Sequence, residues 1–350
     1  MAITLNGSTG ITTPTYGGSV SAEYITPVTG FKNRIINGAM VIDQRNAGAS
    51  ITPSNGQYTL DRFLIGVSQA SKLTTQQSSI AANGFTNSLN ITSSTAYSIL
   101  SGDLFYISQP IEGFNCADLN WGTANASTVT LSFWVRSSLT GTFGGALSNG
   151  TFNRSYPFTY TISSANTWEQ KSIIIAGDTT GTWATNNTLG IQVIFGLGVG
   201  STYSGTAGAW AGAGYVSATG ATSVVGTAGA TFYITGVQLE KGDTATSFDY
   251  RPYGTELALC QRYAATTRVG FVGVAPSTNV SMGGLFSLPV TMRATPTFTQ
   301  LASISASNFA TTAPFVNEAT TNAFRAYKNT ITGSTAQALW TSDLLAVAEL

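Results

Sequence analysis

Histidine is missing from all 350 residues of this chain. That removes the commonest general base, the usual activator of serine and cysteine nucleophiles, and the commonest transition-metal ligand. Ser-His-Asp and Cys-His catalysis are therefore excluded within the chain. Charge is scarce as well: Lys+Arg and Asp+Glu number 15 each, 9% of residues together, and they cancel. With no basic excess there is little to neutralise phosphates, so nucleic acid is not an expected partner, and an anionic membrane surface is equally unattractive. Only two cysteines occur, Cys116 and Cys260, far apart in sequence. They form no disulfide framework and no thiolate cluster for zinc, and they read as free thiols in a chain that folds in a reducing compartment. No run of about 18 apolar residues suggests a membrane span, and the opening MAITLNGSTG has neither the basic nor the apolar region of a signal peptide. No cofactor is expected.

What is present is a large apolar fraction, 43%, carried on short β-prone runs. In Thr128–Val135 the apolar Val129, Leu131, Phe133 and Val135 alternate with polar residues, the period of a half-buried strand. Similar runs, separated by Gly, Asn and Ser, continue from Phe31 to about Tyr253, with no helical period among them. This predicts an all-β, jelly-roll β-sandwich over 31–253. Residues 1–30 have too few large apolar side chains for a core and read as an extended N-terminal arm, or as a disordered terminus. Thr255–Tyr263 is the best short helix, opening after a glycine with Thr255 as its cap. It serves as a hinge (254–264) before a smaller C-terminal β-domain at 265–350. The last residues, Ser342–Leu350, read as a strand or short helix packed on a partner.

The segment Gly196–Thr231 is low-complexity Gly/Ala/Thr/Ser with Tyr203, Trp210 and Tyr215 embedded. It reads as a hairpin insertion ordered by a neighbouring subunit, with a ligand-contacting loop as the competing reading. Trp121 and Trp183 also sit among small polar residues. These five aromatics are the candidates for carbohydrate or receptor contact, weighed against burial in a core or subunit interface. The carboxylates offer little for glycoside hydrolysis, which needs two acids flanking the scissile bond. Asp178 reads as a loop residue bonding its own backbone, and Glu169 as a solvated strand edge. Glu240, Asp243 and Asp249 could supply oxygens to a structural calcium ion, though plain turn carboxylates account for them as well.

Three stretches resemble a pattern of bacteriophage structural proteins of the tail-fibre and receptor-binding type. The first runs Lys32-Asn33-Arg34-Ile35-Ile36-Asn37-Gly38-Ala39-Met40, then Asp43-Gln44-Arg45 and Tyr58-Thr59-Leu60-Asp61-Arg62-Phe63. The second is Phe232–Gly242 leading into Phe248-Asp249-Tyr250-Arg251-Pro252 and Leu259-Cys260-Gln261-Arg262-Tyr263. The third is Leu288–Thr297, and Ile3–Ile11 also looks like the start of phage fibre proteins. The central region is similar to carbohydrate-binding-module jelly rolls in Leu131–Ser138, in Trp168-Glu169-Gln170, and in the Phe232–Glu240 run. The resemblance implies a non-enzymatic virion protein, folded in the bacterial cytoplasm. It would be a homotrimer attached to other virion proteins through residues 1–30 and adsorbing to host-surface glycan. An architectural capsid decoration, head-fibre or collar protein that touches only virion components is the other reading it leaves open. The poorly charged surface fits either one, since such a surface resists self-association weakly.

Overall fold

The computed structural model describes residues 4–6, 10–12, 31–275, 277–331 and 334–350. Most of the expected arm therefore lies outside the described residues; within it, β1 (Thr4–Asn6) and β2 (Gly10–Thr12) pair antiparallel. From Phe31 onward the protein is the all-β jelly-roll sandwich that the alternation predicts. One sheet contains β3 (Gln57–Leu60), β4 (Phe63–Val67), β7 (Leu104–Glu112), β9 (Gly141–Asn149), β10 (Ser155–Ile162) and β12 (Leu189–Val199), in the spatial order 10-9-12-7-4-3. The other contains β5 (Leu73–Ser78), β6 (Ser88–Ser93), β8 (Val129–Ser137), β11 (Glu169–Ile175) and β15 (Thr231–Lys241), in the order 11-8-15-6-5. The chain crosses repeatedly between the sheets, so their inner faces interdigitate into one core. Val129, Leu131, Phe133 and Val135 all point into it at 0% exposure, while Trp134 on the same strand is half-buried. Phe133 meets Phe195 and Tyr160 edge-to-face, each with ring centroids 5.0 Å apart, the preferred geometry of aromatic pairs.

Two central strands are buried along almost their whole length, β12 and β15, which requires cover on both faces. On β15 the cover is the segment around Asn33–Gly38, which runs beside the strand without joining the sheet. Arg34 N–H donates to the Leu239 carbonyl at 2.9 Å and Val237 N–H to the Gly38 carbonyl at 3.0 Å. A Cβ on Gly38 would lie 2.2 Å from the Val237 oxygen, so only glycine permits this approach. On β12 the cover is the glycine-rich loop itself. The loop carries the short parallel pair β13 (Ser204–Gly205) and β14 (Ser217–Ala218), its own Val216, Val224 and Val225 are buried, and Ser217 Oγ would stand 2.4 Å from a Cβ on Gly144 and 2.8 Å from one on Gly196. The small residues of this loop thus let it close on its own sandwich, where the sequence suggests an insertion ordered by a neighbour.

The helix α1 spans Tyr253–Gln261 and starts two residues before the expected Thr255 cap, with Pro252 preceding it and no side-chain cap. The locked φ of proline favours the start of a helix, and Thr255 instead lies inside the first turn, its N–H bonded to the Pro252 carbonyl. Beyond α1, two three-stranded sheets pack together: β16 (Ala264–Ala275), β21 (Ser334–Val347) and β18 (Thr297–Ser307) in the order 16-21-18, and β17 (Ser281–Ser287), β20 (Ala323–Asn329) and β19 (Phe315–Asn317) in the order 17-20-19. Their shared core holds Val269, Met292, Phe324, Trp340 and Leu344. Most of the Ser342–Leu350 stretch, expected to pack on a partner, belongs to β21, the middle strand of its sheet. Both of its edges are paired within the chain.

Candidate functional site

Three of the five aromatic candidates meet in space. Trp121, Trp183 and Trp210 come from three separate loops and form a triangle with ring centroids 4.7, 5.3 and 5.4 Å apart, every pair edge-to-face. Tyr156 adds a fourth ring, 5.3 Å from Trp210. Each indole N–H is held internally: Trp121 by the Ser127 carbonyl at 2.8 Å, Trp183 by that of Thr180 at 3.2 Å, Trp210 by that of Ala176 at 2.7 Å. Trp121 is buried, and the other two are half-buried against the core. Such a triangle locks three loops to one another and leaves no indole donor facing outward. Tyr203 and Tyr215 are not part of it. Both are half-buried, and the Tyr215 ring covers Gly205, where a Cβ would come within 2.3 Å of it.

The three carboxylates considered for calcium do not converge. Glu240, 3% exposed, accepts from Gln238 Nε2 at 2.9 Å, Thr246 N–H at 2.9 Å and Thr246 Oγ1 at 2.7 Å. Asp249 accepts the N–H groups of Lys32 and Asn33 at 3.0 and 3.2 Å, and Asp243 is exposed beside Thr244. Among the described residues no three His, Cys, Asp or Glu side chains are grouped to hold a metal ion. Asp178 does accept from its neighbour Thr180 N–H at 3.1 Å, but its main partner is Arg154, which makes two bonds of 2.7 Å. Burial is the largest single influence and acts to raise the Asp178 carboxyl, but the Arg154 pairing and the bonds from Thr180 together outweigh it and hold the group below the usual range. Glu169 is more than a solvated edge: it accepts the N–H groups of Ser163 and Ser164 and pairs with Lys171 at 2.6 Å.

A different assembly emerges where the sandwich, α1 and the C-terminal sheets meet. Here residues of the three stretches singled out in the sequence come together. Asn37 donates to the Ile42 and Asp61 carbonyls and accepts Ile42 N–H. Gln109 holds the backbone of Ile36 on both sides, at 2.8 and 2.7 Å. Arg251 reaches the carbonyls of Asn33 and Ile35 and pairs with Glu256. Glu112, 1% exposed, receives Arg262 at 2.7 and 3.2 Å and the Tyr263 hydroxyl at 2.7 Å. Arg62, also 1% exposed, pairs with Glu349 and lies 3.6 Å from the Tyr263 ring centroid. Arg45 binds the same Glu349 at 2.5 Å, and Arg293 holds the carbonyls of Ala348 and Glu349 at 3.0 and 2.8 Å. Asp61 accepts Gln44 N–H and Nε2 at 2.7 and 2.9 Å, yet burial dominates and pushes its carboxyl up to about 6.

Two cavities open on this seam, and Arg251 lines both. One, of about 230 Å³, is bordered by Phe31, Arg34, Ile36, Asn115 and Leu259. The other, of about 220 Å³, is bordered by an aromatic group of Phe85, Phe248, Tyr250 and Tyr253 with Glu256 at its edge. Phe31, Tyr250 and Tyr253 stand 56–63% exposed at their mouths. None of these residues was singled out as a contact from sequence, although Arg34 lies within the first of those stretches and Tyr250 and Arg251 within the second.

Comparison with known proteins adds little. No family model matches the chain, and no curated protein matches it. Solved structures that resemble it include the enzymatically active domain of tailspike protein 4 of bacteriophage CBA120, at 12% identity over 60% of this chain and 22% of that one, with a TM-score of 0.34. Others are a family 11 carbohydrate-binding module of Clostridium thermocellum, at 9% identity over 55% and 94% with a TM-score of 0.29, and the CBM22-1 xylan-binding domain of Paenibacillus barcinonensis, at 10% over 57% and 99% with a TM-score of 0.25. The chain spans about a fifth of the tailspike structure's length. These likenesses are too distant to assign a function.

Proposed function

We propose that the protein is a non-enzymatic structural component of a bacteriophage particle: a tail-fibre or receptor-binding protein that works as a homotrimer, attaches through residues 1–30 and contacts host-surface glycan. The observation that carries this reading is the apolar exposure on the outer faces of the C-terminal sheets. Val272 and Val274 on β16, Leu285 on β17, Leu301 on β18, Phe315 on β19 and Ile331 just past β20 are all 44–73% exposed. Because the two sheets pack face to face, these side chains lie on two outer faces of one module, and exposed apolar side chains there offer surface for another molecule to cover. The shortage of charge leaves little to hold copies of the chain apart. The non-enzymatic part draws on the acids: Asp61, Glu112, Asp178, Glu240, Glu256 and Glu349 are each bonded to protein donors, which leaves none of them poised as a free general acid or base.

The architectural alternative, a decoration, head-fibre or collar protein, is favoured by the tryptophan triangle, whose indole donors all face inward. Three measurements test the proposal together: sedimentation equilibrium, mass spectrometry of purified particles, and competition of adsorption by the soluble protein. A mass near three times 36.4 kDa, presence in particles and blocked adsorption are expected. A monomer absent from particles would sink the reading. Presence in particles without competition would select the architectural form.

A further inference from the structure

We infer that Asn83 converts spontaneously to a mixture of aspartate and isoaspartate, which sets a new carboxylate beside the aromatic cavity of about 220 Å³. The chemistry is an attack within one dipeptide. The Gly84 backbone nitrogen gives up its proton to solvent base and bonds to Cγ, the side-chain carbonyl carbon of Asn83. The bond from Cγ to Nδ2 breaks and ammonia leaves, which closes a succinimide ring. Water then opens either carbonyl of that ring and leaves aspartate in a normal chain or isoaspartate in a chain one carbon longer. Glycine favours the first step because it has no Cβ to block the approach of its nitrogen. Asparagine precedes glycine five times, at Asn6, Asn37, Asn55, Asn83 and Asn149, so the dipeptide alone does not choose among them.

The fold does choose. Asn37 and Asn149 are both at 0% exposure. Asn37 Nδ2 donates to the Ile42 and Asp61 carbonyls, and Asn149 Nδ2 to Thr151, Asn153 and Thr182. Asn55 is exposed, yet its Oδ1 accepts the Val67 N–H at 3.0 Å, and the Gly56 N–H that would attack is spent on the Ile65 carbonyl at 3.0 Å. Gly7 lies outside the described residues. Of the other four, Asn83 is the one both exposed and unheld. It occupies the second position of a turn closed by Phe85 N–H on the Ala82 carbonyl at 3.0 Å. Among the described residues neither its side chain nor the Gly84 N–H has a hydrogen-bond partner. Gly84 holds φ at +87°, the left-handed value that a type II turn asks of its third residue. An exposed turn of this kind opens more readily than the buried surroundings of Asn37 and Asn149.

The consequence reaches the cavity, which Gly84, Phe85 and Thr86 line. The Tyr250 hydroxyl donates to the Gly84 carbonyl at 2.8 Å, and the Phe85 ring meets Phe248 and Tyr250 at 5.1 and 5.6 Å. An extra backbone carbon in this turn moves the carbonyl and the ring that make these contacts. The 15 positive and 15 negative side chains cancel before conversion, so each event leaves the chain with an excess negative charge. Peptide mapping by mass spectrometry of the full chain aged in mildly alkaline buffer, with enzymatic methylation to count isoaspartate, reads the site directly. A sample aged in urea gives the rate at each dipeptide without the fold. In the native protein position 83 should convert at least tenfold faster than positions 37, 55 and 149, and in urea that preference should vanish. No acid at position 83 in the native protein over a time that converts it in urea would overturn the assignment, as would conversion at 37, 55 or 149 that keeps pace with it. A tenfold preference surviving in urea would refute selection by the fold. None of these outcomes depends on whether the protein belongs to a phage particle.

Discussion

Asp61 offers the sharpest test of the seam. Its side chain sits at 1% exposure between the N-terminal segment and β4, and burial is the leading influence that lifts it from 3.8 to about 6. A folded-state value above the unfolded one means that the fold binds the proton more tightly than the unfolded chain does. The stabilisation from protonation is therefore complete below about pH 3.8 and is lost as pH rises through 6. At about 1.4 kcal/mol per unit, this one group makes the protein about 3 kcal/mol less stable at pH 7.5 than at pH 3.8. Other carboxylates push in the opposite direction at the acid end of that range. Asp118, which burial would raise, is held low by Arg34, and Asp178 is held low by Arg154 in the same way. The total pH profile is thus a poor readout of Asp61.

Subtraction isolates it. Asp61→Asn removes the titration but keeps an oxygen for Gln44 N–H. It also sets an NH2 against Gln44 Nε2, which already donates to the Ala264 carbonyl at 2.8 Å, so its absolute stability is not the informative quantity. Urea unfolding of wild type and variant at matched protein concentration from pH 4 to 8 gives the difference in unfolding free energy. That difference should fall by about 2 kcal/mol across pH 4–6.5 and then level off. A difference flat to within about 0.5 kcal/mol, or one that rises, would refute the burial of an ionised Asp61, because an unperturbed surface carboxylate gives the first trend and a well-paired one the second.

Glu349→Ala leaves Arg62 buried without its carboxylate and should destabilise the protein by about 3–5 kcal/mol in urea unfolding, whereas the loss of a solvent-exposed pair would be below about 1 kcal/mol. Trp210→Ala should lower stability by about 2–4 kcal/mol and weaken the near-ultraviolet dichroism of the edge-to-face tryptophans. Unchanged stability with loss of cell binding would instead make Trp210 a contact residue. Cys116 and Cys260 are buried, and burial pushes the Cys116 thiol up to about 12 and that of Cys260 well above its usual value. Both should stay unmodified by a disulfide reagent at pH 8 until denaturant is added. Rapid labelling of the native protein would contradict their placement.

The local parts of this fold were legible because they are local. The alternation in β8 needs only neighbouring residues to be read, and so does the apolar density of β12 and β15. What sequence could not show was cover. The glycine-rich loop carries the composition of a flexible insertion, yet its small residues let it lie against Gly144 and Gly196 of its own sheet. Trp121, Trp183 and Trp210 each stand among small polar residues, and only the convergence of three loops makes them one cluster. The helix start was misplaced because the threonine resembled a cap, while Pro252 sets the boundary. For the seam a signal was present. Asn33, Arg34 and Asn37, then Asp43, Gln44 and Arg45, then Asp61 and Arg62 concentrate polar chemistry in an otherwise charge-poor chain, and that density points to an internal network.

That network changes what the low charge means. Arg62, Glu112, Arg251, Glu256 and Glu349 are bonded inside the seam and Asp178 and Glu240 are occupied in the sandwich, so seven of the chain's few charged side chains serve internal contacts. Buried ion pairs add little to stability against apolar replacements of the same volume, and their best-attested use is to fix one geometry among several. Here the geometry so fixed is the angle between the sandwich and the C-terminal sheets. A monomer working alone gains little from fixing that angle. In the proposed homotrimer, exposed Val272, Leu285 and Phe315 would have to register against identical copies, and a fixed angle serves that, because a small rotation at the seam becomes a large displacement at the far end of the sheets.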